Sequence, residues 1–308
     1  MYTNADCYVN KIHELRLVLS TLTQKPGIIA ITEVNYKIKK SFSYAELQLD
    51  GYTLYHNELH SNSRGLVVYV DCGLQSRLVC TDILYGEAVI VSIRCHSGSS
   101  VTIGNIYRSP SSKAEDDQLL CDLINSLSRK CTGELVLVGD FNFSDIDWNS
   151  WESVHKLTNA THFLNTLRDN YLIQHVDSPT RARGADTPHI LDLVVTNEPF
   201  VENIDYLAPL GKSDHSVLMI TCDLQAHRTA VSSSKLNLSK GNYNALRSYL
   251  DIDWNSVTGS NCENVEELWL TVKNKITEGM ELYIPKVSQF SSWKKNGNSH
   301  SVKIRTQR

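Results

Sequence analysis

Short apolar runs rich in Val and Ile recur along the first 224 residues, at 28–32, 52–55, 65–70, 88–95, 101–107, 134–139, 190–196 and 216–224. Turn-forming residues lie between them, and each run is too short for a stable helix, so they read as strands. Val89, Val91 and Ile93 alternate with Ile90, Ser92 and Arg94, the pattern of a half-buried strand. Helical spacing interrupts the series at 9–22, 116–127 and 161–171. In the second of these, Leu119, Leu120, Leu123, Ile124 and Leu127 share one face, and the acidic first turn suits the helix dipole. Strands outnumber helices and the middle of the chain is meander-like. The expected class is α/β: a four-layer sandwich of two packed mixed β-sheets flanked by helices.

At 308 residues with 41% hydrophobic and 21% charged, the chain has the means to bury a sizeable core and is not a disordered or low-complexity protein. No apolar run approaches the ~18 residues needed to span a bilayer, so no membrane partner is expected. The start, Met1-Tyr2-Thr3-Asn4, lacks a basic segment leading into an apolar one, and the expected location is intracellular rather than secreted. The eight cysteines (7, 72, 80, 95, 121, 131, 222 and 262) form no C-x-x-C pair and no zinc-like cluster, and reduced thiols are expected. The formal charge of −4 divides unevenly: 18 basic against 27 acidic residues up to 226, and 12 against 7 beyond it. An acidic body argues against bulk electrostatic capture of nucleic acid but suits a carboxylate-rich metal site.

Several reactive side chains fall at strand ends, where a sheet aims them into one cleft. Glu33 follows the run 28–32, Asp140 and Asn142 follow 134–139, and Ser213-Asp214-His215 precedes the last run. Asp192 lies inside the apolar stretch Ile190-Leu191-Asp192-Leu193-Val194-Val195. A carboxylate there costs several kcal/mol unless it is paired or bound to a metal. Taken singly, Glu33 reads as a solvated strand end, Asp140 as a turn former and Asp214-His215 as a turn. Their joint occurrence at strand ends carries the functional reading.

The ordered set Asn4, Ile31-Thr32-Glu33, Ile106-Tyr107-Arg108, Gly139-Asp140-Phe141-Asn142, Leu191-Asp192 and Ser213-Asp214-His215 resembles the endonuclease/exonuclease/phosphatase family, with its DNase I-like sandwich. Ser63-Arg64-Gly65, Ser178-Pro179-Thr180-Arg181, the run 140–148 and Ile190–Asn197 are similar to the non-LTR, jockey- and chicken-repeat-like retrotransposon branch. The resemblance implies a Mg²⁺-dependent endonuclease, with Mn²⁺ as a substitute, that nicks double-stranded DNA and leaves a 3′-hydroxyl. It implies catalytic roles for Asn4, Glu33, Tyr107, Asp140, Asn142, Asp192, Asp214 and His215, with Asp192 orienting His215. Which of Asp140 and His215 is the general base is left open by the sequence. Arg108 and Arg181 are implied as DNA or phosphate contacts, Thr180 and Ser213 as phosphate contacts or as supports behind the residues that make them, and Glu33, Asp214 and Asp6 as metal ligands. Arg181 and Arg183, close after Pro179, would either track a DNA backbone or simply solvate a loop.

The resemblance further implies a reverse transcriptase domain of a parent polyprotein as partner, and access to the nucleus. Competing readings are an apurinic endonuclease, another phosphoesterase of the same fold, or an inactive remnant that only binds nucleic acid. The expected organisation is a catalytic domain over 1–225, a Ser-rich linker over 226–242, a helical connector over 243–285 and a disordered basic tail over 286–308. Only Met1-Tyr2-Thr3 precede Asn4, so a shortened first strand is expected.

Overall fold

The computed structural model describes residues 1–35, 42–57, 63–95, 99–155, 158–182, 187–224, 235–254, 256 and 265–287. The chain divides into two compact units, Met1–Ala230 and Val231–Arg308.

The first unit holds two six-stranded sheets. One consists of β1 (Tyr2–Asn4), β2 (Ile28–Thr32), β3 (Tyr52–His56), β4 (Leu66–Asp71), β13 (Val201–Leu207) and β14 (Val217–Cys222), in the order β13-β14-β1-β2-β4-β3. The other consists of β5 (Ser76–Leu78), β6 (Ala88–Arg94), β7 (Ser100–Tyr107), β8 (Glu134–Asp140), β11 (Ile173–Gln174) and β12 (Asp192–Thr196), in the order β11-β12-β8-β7-β6-β5. Each sheet is mixed: β1 pairs parallel with β2, and β7 parallel with β8, while the other pairings are antiparallel. A small hairpin, β9 (Ile146–Asp147) with β10 (Glu152–Ser153), stands apart from both sheets.

Two-residue alternation builds the sandwich. Ala30, Val68 and Leu218 from the first sheet meet Val91, Ile103, Val138 and Val194 from the second in a shared core. Their sequence neighbours face outward and are also covered, which is why the strands read as nearly continuous apolar runs. Ile29, Ile31, Val67 and Tyr69 pack with Ile12, Leu15 and Leu19 of α1 (Ile12–Thr21). Leu135 and Leu137 pack with Leu120 and Ile124 of α2 (Ala114–Lys130) and with Phe163 and Leu167 of α3 (Asn159–Asp169). Each such side chain stabilises the fold by roughly 1.5–3 kcal/mol. Glu115, Asp116 and Asp117 open α2 while Arg129 and Lys130 close it, and the Thr158 hydroxyl accepts from the Thr161 amide to cap α3. The four-layer α/β sandwich is thus the observed fold.

Two strands escape the periodicity. Val201–Leu207 forms an edge strand whose Glu202, Asn203, Asp205 and Leu207 are exposed, and Ser76–Leu78 forms the opposite edge of the second sheet. Edge strands pack on one neighbour and carry polar residues that discourage further pairing, so no apolar run marks them. The expected helix at 9–22 begins as a short 3-10 turn at Tyr8–Asn10.

In the second unit, α4 (Tyr243–Leu250) and α5 (Val265–Tyr283) pair, with the rings of Tyr249 and Tyr283 at 5.6 Å and the Lys275 ammonium 4.2 Å from the Tyr249 ring centre. Residues 225–234 of the expected linker and 288–308 of the expected tail lie outside the described residues. The seven cysteines among the described residues are free thiols. No helix among the described residues is long and apolar enough to cross a membrane.

Candidate active site

The site lies where the ends of strands from both sheets come together. β8 and β12 run antiparallel with Asp140 directly opposite Asp192, so two carboxylates sit side by side at one end of the second sheet. Across the sandwich, β1 and β2 run parallel with Asn4 beside Thr32, which brings Asn4 next to Glu33. Hydrogen bonds stitch the halves together: Asn4 Nδ2 donates to Asp140 Oδ2 at 2.8 Å and to Glu33 Oε1 at 3.1 Å. The Tyr2 hydroxyl, fully buried, donates to Asp192 Oδ1 at 2.9 Å. Asn105 Nδ2 on β7 donates across to the carbonyls of Ile31 and Val67, each at 3.0 Å.

Asp192 answers the question its sequence posed. It is completely buried, and its second oxygen, Oδ2, accepts from His215 Nδ1 at 2.7 Å. That contact directs His215 Nε2 toward Asp140 Oδ2 and Asp214 Oδ1, each 3.8 Å away. Burial opposes charge on the imidazole, but the carboxylates of Asp192, Asp140 and Asp214 outweigh it and raise His215 to about 9. Burial, followed by the neighbouring Asp192 charge, pushes Asp140 up to about 8. Between them, this imidazole and carboxylate retain protons well above their ordinary ranges.

The outer carboxylates each carry a guanidinium. Arg64 Nη2 bonds Glu33 Oε2 and lies 3.8 Å from Asp6 Oδ1. Arg181 Nε donates to Asp214 Oδ2 at 3.1 Å. Burial works against ionisation of Asp214, yet the Arg181 contact and His215 hold its carboxyl below the usual range. Tyr107, at the end of β7, hydrogen-bonds Glu33, and its hydroxyl is pushed far up, first by burial and then by the Glu33 and Asp140 charges. A cleft of about 390 Å³ opens onto Asn4, Glu33, Tyr107, Asp140, Asn142 and His215, with Asp6, Arg64, Arg181, Lys212 and Asp214 at its walls.

Three non-glycine residues of this region have left-handed backbones: Asp6 (φ 42°), Glu33 (φ 54°) and Asn142 (φ 50°). Such conformations are uncommon outside glycine and persist where the surroundings over-determine them. The Asn142 amide N–H donates to Asp140 Oδ1 at 3.2 Å, and its side chain donates to the Arg108 carbonyl at 2.9 Å. Gly139, one residue before Asp140, has no room for a side chain, since a Cβ there would sit 1.9 Å from the Ile106 carbonyl oxygen.

Arg108, Thr180 and Ser213 make the following contacts within the protein. The Arg108 guanidinium faces Asp117 through two bonds, of 2.6 and 2.9 Å, donates to the Asn142 carbonyl at 3.0 Å and lies 4.0 Å from the Phe143 ring centre. It is a buried clamp between β7 and α2, and it borders an adjoining cavity of about 650 Å³ rather than the carboxylate cluster. Thr180 Oγ1 accepts from the amides of Leu191 and Asp192, at 3.2 and 3.0 Å, so it seats the backbone of Asp192. Ser213 Oγ donates to the Asn4 carbonyl at 2.7 Å and accepts from the His215 amide at 3.2 Å, tying the histidine loop to β1. Arg183 lies outside the described residues. Arg64, Lys212 and Tyr2 were not singled out as site residues by the sequence. Arg64 carried a signal inside Ser63-Arg64-Gly65; Tyr2 carried none, because its partner lies 190 residues away.

Among the described residues, two places could hold a divalent cation. Single ligand atoms of Asp140, Asp192 and His215 lie within 4.8 Å of one another. Both Asp192 oxygens are already engaged, by Tyr2 and His215, which makes this trio a proton-holding relay rather than a cage. On the cleft side, Glu33, Asp6, Asp140 and Asp214 offer carboxylate oxygens, the donor type that magnesium takes, so these residues fit that ion.

Residues 101–219 match the protein family described as endonuclease-reverse transcriptase. No curated protein sequence matches the chain. Among solved structures, the endonuclease domain of TRAS1, a telomere-specific non-LTR retrotransposon, is 18% identical with a TM-score of 0.54, covering 73% of this chain and 98% of that one. The 3′ phosphatase NExo from Neisseria, bound to a product DNA hairpin, is 18% identical with a TM-score of 0.53, covering 72% and 98%. The catalytic domain of Xenopus laevis APE2 is 13% identical with a TM-score of 0.56, covering 74% and 93%. At these identities the structural likeness speaks for the fold. The sequence match thus runs from β7 into β14, and the fold is that of these nuclease and phosphatase structures, so the chain resembles the endonuclease/exonuclease/phosphatase family and, within it, the endonucleases of non-LTR retrotransposons.

Proposed function

We infer that the first unit is a Mg²⁺-dependent endonuclease that nicks double-stranded DNA and leaves a 3′-hydroxyl. The observation that carries this reading is the buried Tyr2–Asp192–His215 chain ending beside Asp140, opposite Asn4 and Glu33 in one polar cleft. Phosphodiester hydrolysis needs an activated water, neutralisation of phosphate charge and stabilisation of the leaving oxygen. Asp140, held by Asn4 and by the Asn142 amide, is positioned to orient the attacking water, and to take its proton once its own has been given up as pH rises through about 8. His215, kept protonated by Asp192, contacts the scissile phosphate as a cationic donor, with Tyr107 and Arg181 on the flanks. Glu33 and its oxygen neighbours would hold Mg²⁺, which supplies Lewis-acid neutralisation of charge on the leaving 3′ oxygen. The family match to an endonuclease-reverse transcriptase and the likeness to TRAS1 favour duplex DNA over small phosphate esters, and a reverse transcriptase domain as the companion.

The test is relaxation of supercoiled plasmid with Mg²⁺, followed by polymerase extension from the nick to detect the 3′-hydroxyl. Glu33→Ala and His215→Ala are each expected to lose about 10²–10⁴ of the rate. Equal, metal-independent nicking by wild type and Glu33→Ala would defeat the assignment. Faster cleavage of an abasic duplex than of intact duplex would move it to apurinic repair chemistry.

A further inference from the structure

Glu33, the best-placed cation ligand, already has a cation on it. The Arg64 fork reaches Glu33 Oε2 and approaches Asp6 Oδ1 at 3.8 Å, so one guanidinium spans two of the carboxylates that line the cleft. This seat is incomplete. Arg64 Nε is buried and has no hydrogen-bond partner, a donor taken from water with nothing in exchange. The backbone of the same residue is fixed: its amide donates to Glu87 Oε1 at 3.0 Å, and its carbonyl accepts from the Asn35 amide at 2.8 Å. The side chain, by contrast, is a quarter exposed, at 27%, and opens to the cleft. A long charged side chain on an anchored backbone, in a seat that leaves one donor unmet, is built to leave that seat without disturbing the core.

We propose that Arg64 is an internal counter-ion that neutralises Glu33 and Asp6 until a divalent cation displaces it. This rests on Glu33 being the cation ligand. The acidic cleft is then never left uncompensated: either the guanidinium or the metal sits among Glu33, Asp6 and Asn4. The consequence is competition, since cation binding must break the Arg64–Glu33 contact, and the affinity for the ion is lower than the donor set alone would give. Arg181 on Asp214 supplies the comparison, because it places a similar charge in the same cleft on a different carboxylate.

The experiment is isothermal titration of DNA-free protein with Mg²⁺, for wild type, Arg64→Gln, Arg64→Lys, Arg181→Gln and Glu33→Gln. Arg64→Gln is expected to bind Mg²⁺ roughly tenfold more tightly than wild type, within the range of ordinary coupling between sites. Arg64→Lys, which keeps the charge but not the planar fork, is expected between the two and guards against a folding defect in the first variant. The Mg²⁺ concentration for half-maximal nicking should fall in parallel. Unchanged or weaker Mg²⁺ binding by Arg64→Gln overturns the proposal. So does an equal gain in Arg181→Gln, which would show only a general charge effect. If Glu33→Gln binds Mg²⁺ as wild type does, the assignment of the cation to Glu33 fails as well, which separates that failure from failure of the counter-ion alone.

Discussion

Replacing Asp192 by Asn keeps the shape of the side chain and removes one buried charge. In the native protein, Asp192 is the leading reason that His215 stands at about 9 rather than 6.5, with Asp140 and Asp214 contributing less and burial opposing all three. At about 1.4 kcal/mol per tenfold change in proton affinity, that elevation corresponds to roughly 3 kcal/mol favouring imidazolium. Without Asp192 its largest favourable contribution is gone, and His215 is expected to titrate lower than in wild type. An amide also presents an N–H or a carbonyl where Tyr2 and His215 both need an acceptor, so one of the two bonds, at 2.9 and 2.7 Å, is lost. The expected outcome is a fall in nicking rate of about 10²–10⁴ at pH 7.5. Stability should fall by about 1–3 kcal/mol, the cost of leaving one buried polar group unpaired. The assays are plasmid nicking and a histidine NMR titration of the metal-free protein, with urea unfolding as the control. If the variant nicks within a few-fold of wild type while His215 stays protonated above pH 8, the orienting role assigned to Asp192 is refuted.

Other outcomes follow from the same geometry. Asp117→Ala strands the buried Arg108 guanidinium and should cost about 3–5 kcal/mol in urea unfolding, whereas the paired change Arg108→Met with Asp117→Leu should restore much of it. Gly139→Ala forces the backbone away from Ile106, so it should lower both Tm and nicking, and an unaltered rate would speak against tight placement of Asp140. In metal-free buffer, Asp140 keeps its proton up to about 8 when folded and loses it near 3.8 when unfolded. Its contribution is therefore fully present below pH 3.8 and lost as pH rises through 8. Asp140→Asn should gain Tm over wild type progressively across that window, as scanning calorimetry at stepped pH would show. Thr180→Val leaves the amides of Leu191 and Asp192 without their acceptor and should reduce both stability and activity, though by less than Asp192→Asn.

The strands of the shared core were legible because each is covered on both faces: Ile28–Thr32, Leu66–Asp71 and Glu134–Asp140 read as unbroken apolar runs and fold as such. The edge strand Val201–Leu207 was not, since only one of its borders is paired and its polar residues face water. Among site residues, Asp192 stood out because an apolar strand does not hold a lone carboxylate, and the structure supplies Tyr2 and His215 as its partners. Those partners could not be inferred from local pattern, because they come from the other sheet and from a loop. Arg108 is the instructive reverse. The resemblance implied a phosphate contact for it, but whether an arginine faces a cleft or a buried aspartate is decided by where α2 docks, and spacing along the strand does not encode that.

The halves of the site belong to different sheets, Asn4 and Glu33 to one and Asp140 and Asp192 to the other, and the side chains packed between those sheets set their separation. The core thus acts as a gauge block. Swapping a methyl or two at Val138, Val194 or Leu218, none of which lines the cleft, would open or close the jaw across which Asn4 meets Asp140 at 2.8 Å. Remote substitutions that leave folding intact could still mistune the chemistry, and a compensating change on the facing sheet could bring it back.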